Sequence, residues 1–276
     1  MAARGLNAWP HAGIGLRLSG VPVLLYHGIG TEERYGSARR SGKYTVTPEQ
    51  FGEHLGLIRN LGLRIISLSE LLQRSESELQ RTVAITFDDG LLSDYTQALP
   101  YLEKASAVAH FFINTAHVGE EGRMGWPEIL EVQRAGMIIG SHGHRHVDHS
   151  QSSLEVLVRQ MSQSRQILEQ RLRRDVKYFA APYGLVSRNL YSAAEQSGYS
   201  CICTSHYWPA RPGSQRVSRV AIYRRTSLGE LQSLLLGRPG PYLPNNLRRV
   251  LNYIPKRFLL RVRPRMLGVD VLQEQP

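Results

Sequence analysis

Two clusters in this chain have the residue types and spacing of a hydrolytic site. The first is Asp88-Asp89-Gly90, at the end of the run Val83-Ala84-Ile85-Thr86-Phe87. Residues that are apolar or β-branched throughout suit a strand covered on both faces, and the glycine permits a sharp turn. Two adjacent carboxylates cannot both ionise cheaply in a desolvated pocket unless a cation lies beside them. The second cluster is Gly140-Ser141-His142-Gly143-His144-Arg145-His146-Val147-Asp148-His149, after the apolar Met137-Ile138-Ile139. Imidazole commonly ligates zinc-like ions, and one carboxylate with two histidines is a three-ligand set that leaves a position open for water.

These stretches carry a resemblance. Thr86 to Gly90 resembles the TFDDG motif of the NodB-like polysaccharide deacetylases, the family 4 carbohydrate esterases, and Ser141 to His146 resembles their histidine motif. In that match His142 and His146 take the two ligand positions, with His144 and His149 outside them. Phe179-Ala180-Ala181-Pro182-Tyr183-Gly184 is similar to the third motif, and the resemblance spans about Val21 to Leu235. It implies metal-assisted hydrolysis of an acetamide, with Asp89, His142 and His146 holding the ion and Asp88 acting as general base. The backbone N–H of Tyr183 would support the oxyanion. The ion would be zinc, with cobalt, manganese, nickel and iron as other divalent candidates.

Two departures from the usual family order require other residues. Usual members carry an LxxH motif near the end of the domain, whose histidine is the general acid, yet no histidine follows His206 here. Leu24-Leu25-Tyr26-His27 has that spacing at the start instead. First and last strands of a closed barrel are neighbours, so His27 is the expected acid of a permuted arrangement. Ala180 stands where many members have an arginine that orients the catalytic aspartate. Arg219, at a later strand, is the replacement expected from another direction.

The elements that must position these groups alternate. Strands are expected at Val21–Tyr26, Arg64–Ser67, Val83–Phe87, Val108–Ile113, Met137–Ile139, Lys177–Phe179, Tyr199–Thr204 and Val217–Tyr223. Helices are expected from Pro48 behind the capping box Thr47–Gln50, from Ser69, over Ser93–Lys104, from Trp126 to Arg134, and over Ser153–Arg173, Ser187–Gln196 and Leu228–Leu235. Arg34 to Lys43 reads as a loop. Such alternation predicts an α/β fold with parallel strands. The resemblance narrows this to a distorted (β/α) barrel of about seven strands in a single domain, whose active site gathers at the strand C-termini. His110 reads as a core histidine, Trp126 and Trp208 as partly buried packing, and Cys201 and Cys203 as buried free thiols. Tyr26 and Asn114 receive no assignment.

The 276 residues, 42% hydrophobic and 21% charged, suit one large globular unit. The expected division is an N-terminal extension at 1–20, a catalytic domain at 21–235 and a basic, partly amphipathic tail at 236–276. That tail carries eight basic residues against two acidic ones, over half of the chain's formal charge of +11. Leu247, Val250, Leu251 and Ile254 form an apolar stripe there, consistent with peripheral contact with an anionic membrane or with packing under the barrel. No recognisable nucleic-acid motif accompanies the charge, so no nucleic-acid partner is expected. The sequence shows no secretory signal pattern and no apolar run long enough to span a bilayer, so the expected location is cytoplasmic, including the inner membrane face. The expected substrate is an N-acetylated amino sugar in a polysaccharide, oligosaccharide or lipid-linked glycan. An O-acetyl ester, a formyl group on a lipid-linked sugar, and a silent glycan-binding scaffold remain as alternatives.

Overall fold

The structure is a computed structural model that describes residues 16–31, 42–147 and 152–243. The expected loop at 34–43 lies largely outside these residues, as do Asp148, His149 and the tail from 244 onward. The strands are β1 (Val23–Tyr26), β2 (Arg64–Ile65), β3 (Thr82–Phe87), β4 (His110–Ile113), β5 (Ile138–Ser141), β6 (Tyr178–Ala180), β7 (Cys201–Cys203), β8 (Arg216–Val217) and β9 (Val220–Ala221). The helices are α1 (Pro48–Asn60), α2 (Leu68–Gln73), α3 (Leu99–Lys104), α4 (Trp126–Arg134), α5 (Leu154–Leu172), α6 (Arg188–Gln196) and α7 (Leu228–Leu235). Among the described residues no helix is long and apolar enough to cross a membrane.

Local chemistry sets the helix starts. Thr47 and Gln50 form the expected reciprocal capping box, with Pro48 opening α1. Ser67, Ser153, Ser187 and Ser227 each accept a backbone N–H at the start of their helix. The single helix expected over Ser93–Lys104 is instead a π-helical turn at Asp94–Ala98 that runs into α3. Pro100, which has no N–H to donate, falls at the start of α3, directly after this turn.

All strand pairs of the sheet are parallel, in the order β8-β7-β6-β5-β4-β3-β1-β9, with β2 attached to β3. Only Ser218 and Arg219 separate β8 from β9. One segment therefore pairs with β7 at its start and with β1 at its end, and the sheet wraps into a distorted barrel. The single strand expected over Val217–Tyr223 is broken because the chain changes partners at Ser218-Arg219.

Alternation along the strands sorts the side chains. Ala84, Phe112, Ala180, Cys201, Cys203 and Val217 form one buried cluster, while their neighbours Ile85, Phe111, Phe179 and Ile202 belong to the larger core under the helices. Thr86 and Asp88 continue the parity of Ala84, and Arg219 continues that of Val217. Both cysteines are buried and free, as expected.

Candidate metal and hydrolytic centre

β3 delivers the acid pair. The Asp88 N–H donates to the Tyr26 carbonyl at 3.1 Å, which sets the end of β1 beside the end of β3. Asp89 has φ +78° and Gly90 φ +62°, so the backbone turns through the left-handed region directly after Asp88. Consecutive carboxylates thereby face different neighbours. The turn is held from outside by the Met124 N–H, which donates to the Gly90 carbonyl at 3.0 Å, and by the Arg123 guanidinium, which donates to the Asp89 carbonyl.

Asp88 is 2% exposed and Arg219 is wholly buried. The guanidinium grips both carboxylate oxygens, Nη1 to Oδ1 at 2.6 Å and Nη2 to Oδ2 at 2.8 Å. Nε donates to the Thr204 carbonyl at 3.2 Å and Nη1 also reaches Thr86 Oγ1 at 3.3 Å. Burial by itself would raise the Asp88 pKa, but Arg219 beside it, with smaller help from His142 and His27, holds the carboxyl below the usual value. The guanidinium lies over the Phe112 ring at 5.3 Å.

The histidines arrive from β5. The His142 N–H donates to the Ile113 carbonyl at 2.8 Å, and its carbonyl accepts from Asn114 Nδ2 at 2.5 Å. Ser141 Oγ accepts the Gly143 N–H at 3.0 Å and meets Ser164 Oγ of α5 at 2.7 Å. The His142 ring places Nδ1 2.8 Å from the Ala180 carbonyl. A carbonyl only accepts, so Nδ1 carries the hydrogen and the Nε2 lone pair faces Asp89. His142 Nε2 lies 3.6 Å and His146 Nε2 3.4 Å from Asp89 Oδ1.

The three ligand atoms of Asp89, His142 and His146 lie within 4.8 Å of one another. One hard carboxylate oxygen and two imidazole nitrogens, one of them oriented by a backbone carbonyl, fit a divalent ion of the zinc type. The donor set therefore matches the expected ligands. His144 points elsewhere, its Nδ1 2.9 Å from Thr115 Oγ1.

Tyr183 sits at the mouth, 43% exposed, with its ring edge-on to His146 at 4.4 Å. It also occupies the left-handed region, φ +58°, followed by Gly184 at φ +65°, where a Cβ would fall 2.3 Å from the Ser205 side chain. His27 is half-buried beside the Tyr44 ring at 5.3 Å, and its charge reaches Asp88. The expected residues thus converge on one end of the barrel.

His110 is a core residue, its Nε2 accepting the Leu68 N–H at 2.9 Å. Trp126 and Trp208 pack against the core. Two residues near the centre were not assigned from sequence. Asp94 is wholly buried, and burial together with the Asp89 charge pushes its carboxyl well above the ordinary range. Asn114, 1% exposed, is a polar residue directly after the apolar β4, and that placement is its signal in the sequence.

The family model for polysaccharide deacetylase matches residues 75–202, a span that contains Asp88, Asp89, His142, His146 and Tyr183. Over that span the chain resembles the polysaccharide deacetylases. A poly-β-1,6-N-acetyl-D-glucosamine N-deacetylase of Staphylococcus aureus (strain MRSA252) is 25% identical over 181 residues, 59% of this chain and 62% of that protein. The chain thus spans less than two thirds of that relative's length. The fold is shared with the deacetylase PplD of Streptococcus pyogenes, solved in complex with acetate, with a TM-score of 0.70 and 23% identity over 78% of this chain and 97% of that one. It is shared too with IcaB of Ammonifex degensii, with a TM-score of 0.69 and 24% identity over 81% and 99%. His27 and Arg219 fall outside the span of the family match.

Proposed function

We propose that this protein is a metal-dependent hydrolase that removes the acetyl group from an N-acetylated amino sugar of a polysaccharide. The observation that carries the reading is the Asp89, His142 and His146 donor cluster beside Asp88, a second acid already neutralised by Arg219. The activity named for the Staphylococcus aureus relative supports the same substrate class.

A divalent ion held by Asp89, His142 and His146 would polarise the acetamide carbonyl and lower the pKa of a bound water. Asp88, kept ionised and fixed in direction by Arg219, accepts the proton of the attacking water at a carboxylate oxygen. The Tyr183 backbone N–H donates to the carbonyl oxygen as charge develops there. His27 gives a proton to the departing amine from the side of β1. Tyr183 and Tyr44 border the entrance, where their rings can flank a sugar.

The test is acetate release from N-acetylglucosamine oligomers by apoprotein to which zinc, cobalt or manganese is returned. Activity that appears with metal and vanishes with a chelator is the expected result. Full activity in chelator, or in Asp89→Ala and His146→Ala variants, would overturn the reading.

A further inference from the structure

We propose that Asn114 is a positioning residue for the centre, holding the ligand His142 through the histidine's own carbonyl. The inference rests on the proposed reading that Asp89, His142 and His146 bind a divalent ion. Three hydrogen bonds fix His142 apart from anything bound to it: its N–H on the Ile113 carbonyl, its Nδ1–H on the Ala180 carbonyl, and its own carbonyl on Asn114 Nδ2. In the first two, the partner is backbone. Asn114 supplies the side-chain partner, and so is the tie that this sequence position specifically encodes.

The surroundings make Asn114 an unusual choice for packing alone. It follows β4 directly, is 1% exposed, and its Oδ1 is buried with no hydrogen-bond partner among the described residues. An orphaned buried amide oxygen is destabilising, and an apolar residue of the same size would avoid it. What an apolar residue cannot do is donate to the His142 carbonyl. The next residues extend the same grip along the loop, since the Thr115 N–H donates to the Gly143 carbonyl at 3.2 Å and the Ala116 N–H to the His144 carbonyl at 2.9 Å. Asn114 thus begins a short parallel seam that aligns the first histidine before the chain turns at Gly143, φ +84°. Residues that orient ligands from behind typically change metal affinity about 10- to 100-fold when replaced.

The experiment measures zinc affinity of folded protein by competition with a chromogenic chelator, below the melting temperature, for wild type, Asn114→Leu, Asn114→Ala and Thr115→Val. Thr115→Val removes a neighbouring buried hydroxyl contact to His144 that touches no proposed ligand. The expected result is a zinc affinity about 10- to 100-fold weaker in both Asn114 variants, with Thr115→Val within about twofold of wild type. The apoprotein melting temperature of Asn114→Leu should stay near that of wild type, because one orphaned oxygen replaces another. Unchanged affinity in Asn114→Leu, an equal loss in Thr115→Val, or failure of both Asn114 variants to fold would overturn the assignment. Wild-type protein that binds no zinc would instead refute the underlying reading of the centre, independently of Asn114.

Discussion

Arg219→Met tests the link between the fold and the acid pair most directly, because it preserves buried volume and deletes the charge opposite Asp88. Two charge-assisted bonds of 2.6 and 2.8 Å disappear, both wholly desolvated. Removing one partner of a buried pair is destabilising by about 3–5 kcal/mol. Asp88 escapes part of that penalty by taking up a proton, and at 1.36 kcal/mol per pKa unit the acidic limb of kcat/KM should rise by about two pH units or more. In the intact protein the depressed Asp88 carboxyl contributes stability that is fully present above about pH 4, near its unfolded value, and is lost as pH falls through the folded value. In the variant the folded Asp88 pKa lies above its unfolded value and the linkage reverses, so the urea midpoint should drop at neutral pH and its gap from wild type should narrow as pH falls toward about 4. Both are read from paired denaturation series and a pH-rate profile. An acidic limb that stays in place, with an unchanged midpoint, would show that Arg219 neither charges nor aims Asp88.

Other substitutions separate the roles further. His27→Ala should lower kcat by about 10²- to 10⁴-fold while zinc affinity stays the same, and full turnover would remove His27 from proton transfer. Gly184→Ala forces a Cβ into the Ser205 side chain at φ +65°, so the turn should lose about 2 kcal/mol or more. kcat should fall there with zinc affinity kept, and a fully active variant of normal stability would contradict the strained-turn argument. Burial lowers the His54 pKa to about 4, whereas the unfolded chain protonates near 6.5. Stability should therefore decline as pH drops from about 6.5 toward 4, by roughly 3 kcal/mol for this group. His54→Asn should flatten that slope, and an identical slope in the variant would exclude His54 as its source.

Much of the architecture was legible because its signals are local. Apolar runs ending in acids or histidines marked β3 and β5, the capping box at Thr47 marked α1, and the Gly90 and Gly184 turns marked where chemistry leaves the sheet. The match of three motifs supplied the barrel, which periodicity alone could not separate from an open sheet. The break between β8 and β9 was hidden because it reflects a change of pairing partner, and pairing is non-local. The π-helical turn before α3 was hidden for a related reason: the pattern Leu91 to Leu102 reads as an ordinary helix, and only packing shows where an extra residue is absorbed. Asn114 lay in plain view, but its meaning depends on the His142 carbonyl 28 positions away.

The two aspartates illustrate how one dipeptide can hold two kinds of carboxylate. With both in extended backbone they would point to opposite faces of the sheet, one inside and one into the helix layer. The left-handed conformation at Asp89 instead swings its carboxylate to the barrel end, within 3.4–3.6 Å of two imidazoles. Asp88 stays in register and points inward, where the charge that matches it enters on the segment joining β8 to β9. That segment also completes the ring between β7 and β1. The barrel cannot close without bringing Arg219 to Asp88, and Asp88 cannot remain buried as an anion unless the barrel closes. Closure of the fold and ionisation of the acid beside the donor cluster are therefore one equilibrium, and a change that loosens β8 or β9 should be felt first as a change in the proton affinity of Asp88.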